Sequence, residues 1–258
     1  MSFHIGGTPM DAETFSSMTA FKVSEIFQFP IDREVKPKDM PFITMTEPTE
    51  LKPLADGIVS VLNTTGEFLK QHSYKDVSTF ILDITKPVPG QKPSASKLVE
   101  HLVKALPGLR DTYTLNNSDN QPVYILKKAQ ILVYHLWMFF HDQEPERFDF
   151  ADIDQLTVFA DNVVPTLLIH LGVLEIPENW QKDIQEGQDI GETRATTLRA
   201  ASIVACEDIV KLANQGDSSV SAVTHMNEGD LDVYLWRLGK EGDYRKIPRF
   251  ALRDTVMF

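Results

Sequence analysis

Three features of the sequence predict an all-α fold organised as a single globular helical domain. Apolar residues recur at three- and four-residue spacing along most of the chain, no convincing run of alternating strands interrupts them, and 258 residues with 42% hydrophobic side chains suffice to bury a sizeable core.

Residues 1–20 carry Gly6, Gly7, Pro9 and several serines and threonines without periodicity, which predicts a loose leader ahead of a domain over 21–258. From Glu47 to His72, the spacing of Leu51, Leu54, Ile58, Val61, Leu62, Phe68 and Leu69 predicts an amphipathic helix, with Thr49 as its cap. Residues 74–84 fit a strand by β-branched content and a helix by the spacing of Val77, Phe80, Ile81 and Ile84, and both readings stay open. Pro87, Pro89 and Pro93 mark a loop. Ser94 or Ser96 then caps a helix through Leu98, Val99, Leu102, Val103 and Leu106, stopped by Pro107 and Gly108. The polar run 114–122 is another loop.

Tyr124 to His141 is apolar on nearly every side after Gln130, so a central helix covered all round is expected there. The stripe from Ile153 through Leu156, Phe159, Val163, Leu167 and Leu171 predicts helix, with Pro165 either kinking it or opening a second helix at its first turn. Thr193–Leu212 gives a further helix, a turn follows at 216–219, and 230–238 is the last clear element.

Charge and motif content narrow the function. A formal net charge of −12 repels polyphosphate backbones, so direct nucleic-acid binding is not expected, although a local basic pocket for one phosphate is compatible with it. The single cysteine, Cys206, cannot form an intramolecular disulfide and suits a reducing compartment. No secretory signal and no apolar run of about 18 residues is present, so a soluble, cytoplasmic protein without membrane association is expected. There is no P-loop, GxGxxG, HExxH or GxSxG, and His135 and His141 lie six residues apart on different helical faces, so no metal site is expected. Oligomeric state is left open.

Two acids stand out. Asp161 sits among apolar neighbours, so it either caps the helix that Pro165 disturbs or faces a cavity. Asp232, followed by Tyr234 and Trp236, either lines an aromatic pocket or lies on the exposed face of a terminal helix.

The order of four segments resembles the queuosine salvage proteins, which are queuosine 5′-phosphate N-glycosylases. Arg110 and Asp111 precede Lys127, Lys128, Ala129 and Gln130, with Leu136 and Trp137 after them; Phe159, Ala160 and Asp161 lead into Val164 and Pro165. Leu198, Arg199 and Ala200 follow, and Asp232, Tyr234, Leu235 and Trp236 close the set. The resemblance runs from about residue 20 to the C-terminus.

That resemblance implies an all-helical fold related in outline to DNA glycosylases, a small-molecule nucleotide substrate and no cofactor. By position, Asp161 inherits the catalytic carboxylate, and Phe159 and Asp232 inherit contacts to the deazaguanine base, with Tyr234 and Trp236 as aromatic walls beside them. Lys127, Lys128, Arg110 and Arg199 are candidates for the 5′-phosphate. Breaking an N-glycosidic bond builds positive charge on the ribose, which a carboxylate stabilises or attacks. Queuine lacks the purine N7, so protonation at that atom cannot assist its departure.

The chain departs from the family pattern at Asn162, Val163, Thr166, Thr197 and Arg237, and the family's N-terminal leucine–asparagine–phenylalanine motif is not recognisable. A divergent member is therefore expected, either N-terminally shortened or with its leader substituting for a wall of the base pocket. The alternative to an active hydrolase is a catalytically weakened paralogue that binds a nucleotide or a protein partner without turnover.

Overall fold

The computed structural model describes residues 9–40, 42–114, 121–215, 225–253 and 255–257. The chain divides into two compact units, one built mainly from the stretch up to Ile84 and the other from Thr85–Lys104 and Leu109–Arg253. Both are mostly helical, as the periodicity predicts.

The first unit opens with α1 (Ala12–Ser16) and α2 (Ala20–Phe27). Asp11 caps α1 by accepting the Thr14 N–H at 2.9 Å, and Thr19 caps α2 by accepting the Lys22 N–H at 3.2 Å. The stretch expected to be a loose leader is thus folded from Ala12 onward, and Ala12 and Met18 are buried; residues 1–8 lie outside the described residues. The sequence signal was missed because α1 is too short to show a period.

A hairpin of β1 (Asp32–Val35) and β2 (Met45–Pro48) precedes α3 (Lys52–Gln71). The helix expected from Glu47 therefore starts five residues later. Pro53 explains the shift: it lacks an N–H and fits only the first turn, where no partner is needed. Thr49 does not cap α3 in the expected way. Its hydroxyl donates to the Pro30 carbonyl at 2.7 Å and accepts the Leu51 N–H at 3.3 Å, holding the chain where the hairpin ends. Gly66 lets α1 lie directly on α3, since a Cβ there would stand 2.3 Å from the Ser16 nitrogen. The ambiguous stretch 74–84 resolves as α4 (Val77–Ile84), with Phe80 and Ile81 buried.

In the second unit, α5 (Ala95–Ala105) is capped by Ser94, whose hydroxyl accepts the Lys97 N–H at 3.2 Å, while the Asp152 carboxylate takes the Ala95 and Ser96 N–H groups. A short hairpin, β3 (Thr112–Thr114) and β4 (Pro122–Tyr124), leads to α6 (Lys127–Phe140). The tip of the polar loop expected over 114–122 and the turn expected at 216–219 lie outside the described residues. After α7 (Pro145–Phe148), a single 3-10 turn at Ile153–Gln155 gives way to irregular chain, and α8 (Val163–His170) begins two residues before Pro165. Of the two outcomes open for Pro165, the second holds: a continuous helix would have required its missing N–H, and the first turn of α8 does not.

The remaining helices are α9 (Glu178–Gln185), α10 (Glu192–Gln215) and α11 (Glu228–Leu238). α11 starts with a capping box in which Asn227 and Asp230 exchange bonds with each other's backbone. Val163, Val164, Leu167 and Leu168 of α8 pack against Cys206 of α10 and Leu231 and Leu235 of α11, forming the unit's core. No helix of the described residues is long and apolar enough to cross a membrane.

Candidate active site

Residues 157–161 cross this core as irregular chain, and side chains from three helices fix their backbone. From α6, Gln130 donates to the Ile125 carbonyl and the Thr157 hydroxyl and accepts the Thr157 N–H, all at 2.9 Å. From α11, Glu228 and Asp232, one helical turn apart, accept the consecutive N–H groups of Val158 and Phe159 at 3.1 and 2.9 Å. From α10, Arg199 donates from Nε to the Ala160 carbonyl at 2.8 Å. The Thr157, Val158 and Phe159 N–H groups and the Ala160 carbonyl of this non-helical stretch thereby find side-chain partners instead of a regular ladder.

Arg199 is itself anchored by a bidentate ion pair with Asp111, in which Nη1 lies 2.9 Å from Oδ1 and Nη2 bonds Oδ2; both residues are buried. Asp111 also accepts the Ile125 and Leu126 N–H groups on its carbonyl and the Lys127 N–H on Oδ2 at 3.3 Å. This holds Leu126 in the left-handed region at φ 53°, uncommon for a branched residue, and sets the direction in which α6 starts.

The product of this scaffold is a cavity of roughly 320 Å³, within the size range of small-molecule sites. Phe159 and Asp161 contribute from the irregular stretch, Lys127, Ile131, His135, Met138 and Phe139 from α6, and Asp232, Val233, Trp236 and Arg237 from α11. The α6 residues form one helical face, spaced four, three and one apart. This corrects the expectation of a helix covered all round: Phe139 is 63% exposed, because that face borders an open cavity and not a neighbouring element. Two larger cavities, bordered by Thr166, Ile169 and Ile247 and by Pro87–Pro93 with Pro145, differ in lacking this pair of buried carboxylates.

Asp161 does both things its sequence context left open. Its Oδ1 accepts the Val163 N–H at 2.6 Å and so caps the start of α8, while Oδ2 lies 3.8 Å from the Lys127 ammonium on the cavity wall. Asp232 is buried with one carboxyl oxygen on the Phe159 N–H. Burial pushes its pKa up to about 7, and the nearby Asp161 carboxylate adds to the rise, while the Phe159 hydrogen bond and Lys127 oppose it. Near pH 7 Asp232 is therefore about half protonated.

The sign of this shift makes a testable statement. A carboxyl raised from 3.8 to about 7 stabilises the fold most below about pH 4, and that contribution is lost as pH rises to 7. Asp232→Asn keeps an oxygen acceptor for Phe159 and cannot ionise. It is expected to match wild type in thermal stability at pH 4 and to exceed it by about 2–4 kcal/mol at pH 8. Parallel melting curves across that range check this, and an unchanged difference between the two pH values would contradict it.

The sequence-predicted site residues separate into two groups. Asp161, Phe159, Asp232, Trp236 and Lys127 meet at the cavity. Tyr234 is 62% exposed and does not border it. Arg199 is committed to Asp111 and Ala160, and Arg110 donates to the Val103 and Lys104 carbonyls at 2.7 Å, closing the end of α5. Lys128 is half-buried, with its pKa lowered by burial, and does not border the cavity.

Of the departures, Asn162 donates to the Phe250 carbonyl, Val163 packs into the core, Thr166 bonds the Asn162 carbonyl and Thr197 bonds the Thr193 carbonyl on an exposed face. Only Arg237 borders the cavity. Sequence reasoning also missed Ile131, His135, Met138 and Phe139 as walls. Their common helical face was visible, but nothing in one sequence distinguishes a face that borders a cavity from one that meets a neighbouring helix.

Comparison with known proteins gives a consistent result. The family profile described as "Queuosine salvage protein" matches residues 7–255. A Schizosaccharomyces pombe protein named queuosine 5′-phosphate N-glycosylase/hydrolase is 35% identical over 149 residues, covering 57% of this chain and 39% of that protein. Proteins of the same name from Nematostella vectensis and Sphaerobacter thermophilus are 31% and 29% identical, covering 83% and 80% of this chain and 61% and 58% of their own lengths. The chain thus spans between about two fifths and three fifths of these curated relatives.

Proposed function

Since this chain belongs to the queuosine salvage protein family, we propose that it hydrolyses queuosine 5′-phosphate to queuine and ribose 5-phosphate, in the cytoplasm and on the free nucleotide. The observation that carries this reading is the meeting of Asp161 and Asp232 at one cavity with Phe159, Trp236 and Lys127.

The chemistry follows from the carboxylates. As the C1′–N bond breaks, its electron pair leaves with the base and positive charge develops on the ribose ring. Asp161, with one oxygen fixed on Val163 and the other toward the cavity, is the group for stabilising that charge or attacking C1′. Water supplies the hydroxyl that ends on C1′ and the proton that ends on the base. Lys127, 3.8 Å from Oδ2, fixes the direction of that oxygen at the cavity wall.

Asp232 suits the amide edge of the base, because a carboxyl that is half protonated near pH 7 can either donate or accept there. Phe159, buried against Tyr134 at 5.4 Å between ring centres, gives a rigid aromatic wall. Tyr134 is held in turn by its hydroxyl donating to Asp230 at 2.7 Å and by Gly229, where a Cβ would stand 2.3 Å from the ring.

Against the weakened-paralogue alternative, four of the five departures lie outside the cavity lining. Purified protein incubated with queuosine 5′-phosphate and analysed by chromatography is expected to release queuine and ribose 5-phosphate in equal amounts. Intact nucleotide after prolonged incubation, with folded protein, would overturn the proposal.

A further inference from the structure

One of the two basic side chains lining the cavity has no acid paired with it among the described residues. Of the basic residues near it, Lys127 faces Asp161, while Arg199 is spent on Asp111 and Ala160 and Arg110 on the end of α5. Arg237 borders the cavity, is exposed, and has no acid within ion-pairing distance among the described residues. It lies one helical turn beyond Val233 on the same wall, next to Trp236, over whose ring the Lys240 ammonium sits at 4.4 Å.

The helix dipole gives one account of Arg237, which lies in the last turn of α11, where a positive side chain is favoured. That account does not explain why Arg237 is the one that borders the cavity. In a protein of net charge −12, an unpaired guanidinium at a cavity rim is free to meet an anion, and its planar fork of donors suits a phosphoryl group.

We propose that Arg237 is the specificity-determining contact for the phosphoryl group of the substrate, selecting the 5′-phosphorylated nucleotide over the free nucleoside. This rests on the nucleotide reading of the cavity and assigns to Arg237 the role for which Lys127, Lys128, Arg110 and Arg199 are the candidates in the sequence. Lys127, occupied with Asp161, is left to the reacting centre.

The test measures kcat and KM for queuosine 5′-phosphate and for queuosine in wild type, Arg237→Ala and Arg237→Lys. The ratio of kcat/KM for the phosphorylated over the unphosphorylated substrate is expected to fall about ten- to hundredfold in Arg237→Ala, through KM, and to recover partly in Arg237→Lys. An unchanged ratio, or an equal loss on both substrates, would overturn the assignment. Calorimetric titration with ribose 5-phosphate separates this from the hydrolase reading, because it needs no turnover. Binding by wild type that weakens about tenfold or more in Arg237→Ala sustains the phosphoryl contact even if no nucleotide is cleaved. Equal binding by both proteins, or none by either, refutes it.

Discussion

Asp161→Asn is expected to lower kcat on queuosine 5′-phosphate at least about a thousandfold while leaving the protein folded. The two halves of that statement come from the two oxygens. Oδ1 accepts the Val163 N–H, and an asparagine oxygen does the same, so the start of α8 keeps its cap. Oδ2 faces Lys127 and the cavity, and there the amide carries no charge to offer a ribose cation. Asp161→Ala removes both functions and is expected to cost about 1 kcal/mol of stability in addition. Steady-state kinetics with melting curves on both variants distinguishes the contributions. An Asp161→Asn protein with wild-type kcat would remove Asp161 from the chemistry.

Arg199→Met is expected to destabilise the second unit by about 3–5 kcal/mol, because it leaves Asp111 as an unpaired buried charge. Denaturant unfolding of Arg199→Met, Asp111→Leu and the double variant measures this. The double variant is expected to be less destabilised than either single change, since two apolar side chains replace the whole pair. Equal, additive losses would mean that the pair is not a coupled unit. Arg199 is also a positioning residue: it holds the Ala160 carbonyl, immediately before Asp161. At a temperature where Arg199→Lys remains folded, kcat is expected to fall with little change in KM, an effect that a purely stabilising contact would not produce.

Much of this arrangement was legible in the sequence, and the legible part follows from periodicity. α5 and α10 each carry an apolar stripe long enough to reveal the 3.6-residue repeat, so their existence and approximate bounds could be read directly. Asp161 could be singled out because a carboxylate among apolar neighbours demands a partner. What could not be read were relations between distant residues. Asp111 and Arg199 stand 88 positions apart, and nothing local marks Arg199 as the holder of a loop carbonyl and not a phosphate ligand.

The stretch from Leu156 to Ala160 illustrates a different failure. Its apolar spacing fits a helix, yet the chain is irregular there, because Pro165 fixes where α8 can begin and because Gln130, Glu228, Asp232 and Arg199 satisfy the backbone groups a helix would have paired. Tertiary partners outweighed a local preference. Those same partners place Phe159 and Asp161 at one cavity, so the element misread from spacing alone is the one that builds the site.

The position of a bound nucleotide relative to Asp161 is the most direct measure of that residue's role. A crystal structure of Asp161→Asn with queuosine 5′-phosphate is expected to show the ribose C1′ within about 3–3.5 Å of the residue 161 side chain, with the base edge on Asp232. A nucleotide bound in the cavity bordered by Thr166 and Ile169, or one in the Asp161 cavity with its ribose turned away from residue 161, would contradict it.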